Sequence, residues 1–311
     1  MDQDRHRQRL KQLLDLPLGA KVRASINRIR QWYEMNSGMV YVGYSGGLDS
    51  TALGHLVRSV YSDVPFVFHN SPMEFPENRQ FAKAAGAVFT NPKMALPEVF
   101  EKYGYPVVSK RVSQYIDEAR RYPGSATAKR RLTGFTSSGK FIPMAKIPSK
   151  WRFLLRAPFN ISHRCCDVFK KRPAAQYRRK TGRVSILGVR ADESQGREQI
   201  WYRYGCNAPH LKSPRSWPIA FWTHDDVWEY IRAERIPYSP LYDMGYRRSG
   251  CMFCLFGIHM EGRPNRIQLL AKTHPACWRY CMDKLGLREV LRYLRIPGDP
   301  KPMFDFGGER A

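Results

Sequence analysis

An apolar run, Met39-Val40-Tyr41-Val42-Gly43-Tyr44, leads into Ser45-Gly46-Gly47-Leu48-Asp49-Ser50. Apolar residues then recur at helical spacing, at Leu53, Leu56, Val57 and Val60. No other stretch constrains the chain as much. The run reads as a buried strand and the repeat as a helix, so two glycines close a strand-to-helix turn. A helix N-terminus there presents unpaired N–H groups and the positive end of the helix dipole, which favour an anion. Glycine lets the backbone approach a phosphate closely, and Ser45, Ser50 and Thr51 add hydroxyl donors. No Gly-Lys-Ser/Thr follows, so this is not a Walker loop. A plain helix-capping turn accounts for a bare Ser-Gly-Gly. The full Ser-Gly-Gly-x-Asp-Ser between strand and helix points instead to a nucleotide phosphate.

The pattern alternates beyond this loop. Residues 64–70 predict a second strand, 76–86 a helix and 86–90 a third strand. A basic helix is predicted over 170–180, a strand over 184–189 and a helix over 224–235 behind a Thr223 cap. Such alternation predicts an α/β fold, a parallel twisted sheet with helices on both faces and ligands at the carboxyl ends of the strands. Three linear segments follow: a basic helical lead-in over 1–35, the main domain over 36–260, and a helical C-terminal extension over 261–311. Within the main domain, residues 109–156 change character. They are rich in Lys and Arg, their only acids are Asp117 and Glu118, and Tyr115, Tyr122, Phe135, Phe141 and Trp151 are scattered among Gly, Ser and Pro. They read as a basic insertion, a surface loop or hairpin suited to phosphate contact and base stacking; a solvated loop is the plainer alternative.

Lys and Arg number 52 against 27 Asp and Glu, a net charge of +25. A pocket for a small anion does not call for so large a surplus. It implies a polyanionic partner, with nucleic acid the leading class. No segment approaches the roughly 18 uninterrupted apolar residues of a membrane span, and residues 1–10 lack the apolar core of a signal peptide. The expected location is cytoplasmic, with no membrane partner.

Cysteine usage fits a reducing compartment. The seven cysteines favour metal or redox use over a disulfide framework. Cys165-Cys166 is a vicinal pair just after Ser162, a candidate cap, so the pair sits near a helix N-terminus, where thiolates are favoured. Gly250-Cys251-Met252-Phe253-Cys254 is a C-x-x-C ligand hairpin. Cys165, Cys166, Cys251 and Cys254 would hold a [4Fe-4S] cluster, since adjacent cysteines reach two different irons more easily than one metal ion. The alternatives are a zinc site from Cys251, Cys254, Cys277 and Cys281, a mixed cluster using Cys281, or no metal.

Several ordered motifs carry a resemblance. They are Ser45–Ser50, Glu74-Phe75-Pro76-Glu77, Cys165-Cys166, Gly188-Val189-Arg190 through Arg197, and Trp217-Pro218-Ile219 through Cys254. Over roughly residues 36–260 the chain resembles the adenylyl-sulfate and phosphoadenylyl-sulfate (PAPS) reductases of the PP-loop superfamily. The resemblance implies an adenine nucleotide alpha hydrolase-like fold. It implies that Ser45, Gly46, Gly47, Asp49 and Ser50 cradle a phosphate or sulfate group and that Glu74 lies near the nucleotide. Arg190 and Arg197 would contact anionic oxygens, as their bidentate forks suit. The four-cysteine set is similar to that of the cluster-containing reductases, in which the cluster acts electrostatically and structurally beside the substrate.

One departure shapes the functional expectation. The reductases attack sulfur with a cysteine near the C-terminus, and the closing Asp305-Phe306-Gly307-Gly308-Glu309-Arg310-Ala311 has none. Relatives lacking that nucleophile include the iron–sulfur ATP pyrophosphatases of DNA phosphorothioation systems. The leading expectation is therefore an enzyme that binds ATP with Mg²⁺ and cleaves the α–β bond to adenylate an acceptor for sulfur transfer, with Asp49, Arg190 and Arg197 as catalytic candidates. Nucleic acid, DNA or RNA, is the expected acceptor, and a cysteine desulfurase or other sulfur donor the further partner. Asp49 would touch Mg²⁺ or ribose, or cap its helix. His69, at the end of the second strand, reads as a core or loop histidine more readily than as a pocket residue. The rivals are a sulfonucleotide reductase with a relocated thiol, Cys277 or Cys281, and a nucleic-acid-binding nucleotide sensor without turnover.

Overall fold

The computed structural model describes residues 2–300. Two compact units form, each from separated stretches: residues 2–92 with 171–249, and 93–170 with 250–300. Among the described residues the strands are β1 Val40–Gly43, β2 Phe66–His69, β3 Val88–Thr90, β4 Val107–Val108, β5 Val184–Leu187, β6 Asn207–Ala208, β7 Arg215–Ser216 and β8 Leu255–Phe256.

The first unit holds a six-stranded sheet in the order β3-β2-β1-β5-β7-β6. Every pairing is parallel except β6 with β7. The expected α/β fold with a mostly parallel sheet and flanking helices is what forms. β1 pairs with both β2 and β5, Val42 facing Phe66 on one side and Ile186 on the other. Val40, Tyr41 and Val42 are all buried, as a central parallel strand requires, which is why they read as an unbroken apolar run. Leu48–Arg58, the helix after β1, buries Ala52, Leu53, Leu56 and Val57.

The lead-in forms two helices, Asp2–Leu14 and Leu18–Met35. Leu10, Ile29 and Trp32 enter the same core cluster as β1, Phe221 and Trp222. Two buried polar groups tie the second helix in. Ser25 donates to the Pro218 carbonyl and accepts from the Trp222 indole, and Lys21, almost fully buried, donates to Asp226 Oδ2 at 2.6 Å. Asp226 also accepts from the Thr223 N–H while Thr223 Oγ1 accepts from the Asp226 N–H, so one carboxylate serves an ion pair and a helix cap.

The second unit has the two-stranded parallel ribbon β4–β8, with Val107 facing Leu255. The basic insertion is not the loop its composition suggested. It opens with the helices Lys110–Arg121 and Ala126–Thr133, capped by Ser109 and Ser125 side chains. Val112, Ile116 and Ala119 recur at helical spacing and are buried, and that period prevails over the Gly, Ser and Pro content. A short hairpin bridged between Phe135 and Phe141 follows, and then 3-10 turns at Pro143–Ala145 and Ser149–Arg156. Helices Arg266–Thr273, Pro275–Arg279 and Leu287–Tyr293 follow the C-x-x-C turn. The end segment Asp305–Ala311, on which the missing-cysteine argument rests, lies outside the described residues. No helix among the described residues is long and apolar enough to cross a membrane.

Candidate functional site

Two sets of candidate residues come together, one in each unit. The first lies in the first unit, where β1 ends and the Leu48–Arg58 helix begins. Gly46 has φ +73° and a Cβ there would meet the Asn78 carbonyl at 2.9 Å, so both backbone sign and packing demand glycine. Gly47 has an ordinary extended backbone, but its missing side chain matters more. A Cβ would lie 2.3 Å from Ser249 Oγ, 3.3 Å from the Tyr242 hydroxyl and 3.4 Å from Ser45 Oγ. Three hydroxyls therefore converge on the face that glycine leaves open.

Hydrogen bonds fix the turn. The Ser45 N–H donates to Ser50 Oγ, Ser50 Oγ donates to the Gly47 carbonyl at 2.8 Å, and the Gly47 N–H reaches Ser45 Oγ. Tyr242 accepts from the Leu48 N–H at 2.9 Å. Burial pushes the Tyr242 phenol up, so its proton stays on. Gly188, at the end of β5, brings its backbone against the same helix: a Cβ there would meet the Asp49 carbonyl carbon and oxygen at 2.7 Å.

The charged candidates are already partnered. Arg190 is buried, and its Nε donates to Asp49 Oδ1 at 2.8 Å while Nη1 holds both oxygens of Asp192. Asp192 also accepts from the His224 N–H. Burial pushes the Asp49 carboxyl up and the Arg190 charge partly offsets this. Arg197, more exposed, is ion-paired with Glu193. Glu74 is buried and accepts from Asn78 Nδ2 at 3.1 Å. His69 Nδ1 lies 2.7 Å from Thr90 Oγ1 across the β2–β3 edge, a strand-end contact.

The second set lies in the second unit. Cys165 and Cys166 sit in a short turn, Arg164–Cys166, where Ser162 Oγ accepts from the Arg164 N–H. Cys251 and Cys254 close a tight turn through the Cys254 N–H and the Cys251 carbonyl at 3.1 Å. The hydrogen bond from Cys165 holds Cys166 down to about 6, with Lys110 and Lys170 also favouring its charge. The same bond and burial push Cys165 far up, and the nearby Cys254 and Cys251 add to the rise. Burial pushes Cys254 up to about 12. The four thiols are thus electrostatic neighbours. They are not gathered into a finished tetrahedral site, because among the described residues no group of three or more His, Cys, Asp or Glu could hold a metal ion. Four thiol donors with cations beside them are the soft ligand chemistry that zinc or an iron–sulfur cluster takes.

Residues 134–255 match the phosphoadenosine phosphosulfate reductase domain family. Over that stretch the chain is similar to this reductase domain. The matched span includes Cys165, Cys166, Arg190, Arg197, Cys251 and Cys254, and leaves the Ser45–Ser50 loop outside it. An uncharacterised protein of Methanocaldococcus jannaschii is 25% identical over 243 residues, 76% of this chain and 47% of that one. Adenosine 5'-phosphosulfate reductases of Lysinibacillus sphaericus and Staphylococcus haemolyticus are 33% and 30% identical over 92 and 140 residues, 30% and 44% of this chain. These matches span 38% and 52% of the two reductases, so the chain covers about half or less of each of these relatives. Among solved structures, the PAPS reductase of Candida auris aligns at TM-score 0.44 and 16% identity, over 79% of this chain and 93% of that one. The U34-tRNA thiolase of Methanococcus maripaludis, with its [4Fe-4S] cluster, aligns at 0.38 and 13%, over 94% and 86%. Likenesses this distant say nothing of the substrate here.

Sequence reasoning did not single out Tyr242, Ser249 or Asp192, and it named Gly188 only as part of a motif. Tyr242 and Ser249 fall within the Trp217–Cys254 stretch that carries part of the resemblance, but spacing alone does not show where a hydroxyl points.

Proposed function

We propose that this chain is a PP-loop enzyme that binds ATP at Ser45–Ser50 and breaks the α–β phosphoanhydride bond. An acceptor oxygen attacks the α-phosphorus, the bond to the β-phosphate oxygen breaks, and pyrophosphate leaves. The acceptor then carries AMP on that oxygen. A sulfide-equivalent nucleophile displaces AMP together with the oxygen and leaves a carbon–sulfur bond, so no net redox change is needed. The acceptor is a nucleic acid, in keeping with the +25 charge, and a cysteine desulfurase is one source of the sulfur. Mg²⁺ enters with the ATP.

The observation that carries this reading is the face of Gly47, where three hydroxyls and the N-terminus of an eleven-residue helix meet. Such a cradle stabilises a charged phosphate group, and more strongly as charge accumulates on the leaving pyrophosphate. Asp49, tied to Arg190, anchors the first turn of that helix. Arg190 in turn is held by Asp192, so the three side chains fix the loop to the end of β5. Arg197 is the accessible cation for phosphate oxygens. Cys165, Cys166, Cys251 and Cys254 would hold a [4Fe-4S] cluster, which supplies iron able to ligate sulfur.

A sulfonucleotide reductase is the second reading, favoured by the reductase domain and the reductase relatives. That reaction needs a thiolate nucleophile. Outside the four-cysteine set the thiols are Cys206, Cys277 and Cys281. Burial pushes Cys206 up, and Cys281 up to about 12, which weakens both as nucleophiles. The two readings separate in one experiment. Pyrophosphate released from ATP in the presence of RNA or DNA supports adenylation; sulfite from adenylyl sulfate or PAPS with thioredoxin, and no pyrophosphate, refutes it.

A further inference from the structure

The basic segment carries an exposed apolar surface that neither the phosphate cradle nor the cysteine set uses. Phe135 and Phe141 sit on the two arms of its hairpin, 51% and 46% exposed, with ring centroids 5.0 Å apart. Met144 beside them is 69% exposed. Large apolar side chains clustered in the open usually mark a contact surface.

The backbone presents them firmly. The Ile142 N–H donates to the Gly134 carbonyl at 2.8 Å, and the Thr136 N–H to the Lys140 carbonyl at 2.9 Å. Gly134 has φ +92°, and a Cβ there would meet the Phe141 ring at 2.7 Å, so the ring packs tightly over the hairpin's base. Arg131 bonds Glu118 and the Ala145 carbonyl, and the Ile147 N–H bonds the Arg131 carbonyl, tying the returning chain to both helices.

Within this segment the charge left unpaired has one sign. Asp117 and Glu118 turn inward, Asp117 pairing with Arg121 and Arg164 and Glu118 with Arg131. Lys129, Lys140, Lys146 and Lys150 have no carboxylate partner among the described residues, and Lys146 lies over the Phe141 ring at 5.6 Å. Exposed rings in a segment of unpaired cations, with Lys146 over Phe141 and Lys150 over Trp151, fit a chain with flat apolar bases and a regular run of phosphates. In a duplex the bases are stacked on one another and beyond the reach of two rings on a hairpin. Folded RNA holds unpaired bases in loops and bulges, the feature that RNA-binding aromatics read.

We propose that the Phe135–Phe141 hairpin docks the unpaired loop of a folded RNA, its bases stacking on the two rings and its phosphates meeting Lys140, Lys146 and Lys150. This deepens the proposed function by naming RNA as the acceptor class, and it rests on that reading.

The test is fluorescence anisotropy on the full chain, without ATP. The probes are a labelled RNA stem-loop, a fully paired RNA duplex of the same length, and the DNA counterpart of the stem-loop. The stem-loop is expected to bind at least about tenfold more tightly than the duplex. Phe135→Ala and Phe141→Ala should each weaken it roughly five- to hundredfold. Phe135→Trp should retain it, and circular dichroism shows whether each variant is folded. Lys140→Gln should lower the slope of log affinity against log salt by about 0.7, a readout that does not depend on removing a ring. Equal binding of stem-loop and duplex, tighter binding of the DNA, or folded Phe→Ala variants with unchanged affinity each overturn the docking site. So does an RNA-free dimer that Phe135→Ala dissolves. Pyrophosphate release is measured separately: a failed docking site leaves it standing, and its own failure leaves RNA binding standing.

Discussion

Gly47→Ala tests the phosphate cradle without dismantling the fold. Gly47 has φ −80° and ψ 160°, a conformation any L-residue adopts, so the new methyl adds no backbone strain. It does enter the space where Ser249, Tyr242 and Ser45 converge, at 2.3, 3.3 and 3.4 Å. Ser249 can rotate its hydroxyl away, so the stability cost should stay near 1 kcal/mol, as for modest overpacking. Binding should suffer far more. A phosphate in the cradle loses at least two charge-assisted hydrogen bonds, each about 1.5–3 kcal/mol. The sum, about 3–6 kcal/mol, corresponds to roughly 10²- to 10⁴-fold weaker ATP binding. Calorimetric titration reads this directly, and thermal melting gives a second measure: ATP at 100 times Kd stabilises a protein by about 2.7 kcal/mol, a shift the variant should lack at the same concentration. Gly46→Ala is the contrast. Its φ of +73° costs about 1–2 kcal/mol for a side chain, and the Asn78 carbonyl at 2.9 Å adds a clash, so that variant should lose stability with or without ATP. A folded Gly47→Ala protein that binds ATP like the wild type refutes the cradle.

Other expectations follow from the same geometry. Serine in place of Cys165, Cys166, Cys251 or Cys254 should remove iron and acid-labile sulfide from anaerobically purified protein, while Cys277→Ser and Cys281→Ser retain both; zinc without sulfide would overturn the cluster. Lys21→Met leaves the Asp226 carboxylate without its buried partner and should cost about 3 kcal/mol in a urea titration; a change under about 0.5 kcal/mol would show the pair to be incidental. Cys281, pushed up to about 12, should be roughly one part in ten thousand thiolate at pH 8. Its native-state alkylation should therefore rise about tenfold per pH unit between pH 7 and 9, as peptide mass spectrometry can follow. A pH-independent rate would contradict the burial of that thiol.

Much of the fold was legible because the central parallel strand β1 is buried along most of its length and its neighbours are largely apolar. Residues 39–44 read as a continuous apolar run and 64–70 and 184–189 as mostly apolar ones, and β1, β2 and β5 form within them. The two-residue strands β6 and β7 carry too few side chains to show a period. The β4–β8 pairing joins residues far apart in sequence, so the interleaving of the two units had no local signature. In the basic insertion, glycine, serine and proline masked the helical period of Val112, Ile116 and Ala119. The loop itself stood out because glycine and serine in that order serve one local geometry. The hydroxyl that Tyr242 brings to Leu48 comes from 194 residues away, and the acids that occupy Arg190 depend on how its side chain folds back. Composition showed the charge surplus; only the structure shows Asp117 and Glu118 turned inward.

The central claim is that ATP is split between its α- and β-phosphates. Phosphorus NMR of ATP turned over by the anaerobically purified chain, with Mg²⁺, sulfide and folded RNA, tests it most directly. The account predicts AMP and pyrophosphate in equal amounts, dependent on the RNA and absent with Gly47→Ala. ADP with inorganic phosphate, or intact ATP alongside sulfite production from adenylyl sulfate, would contradict it.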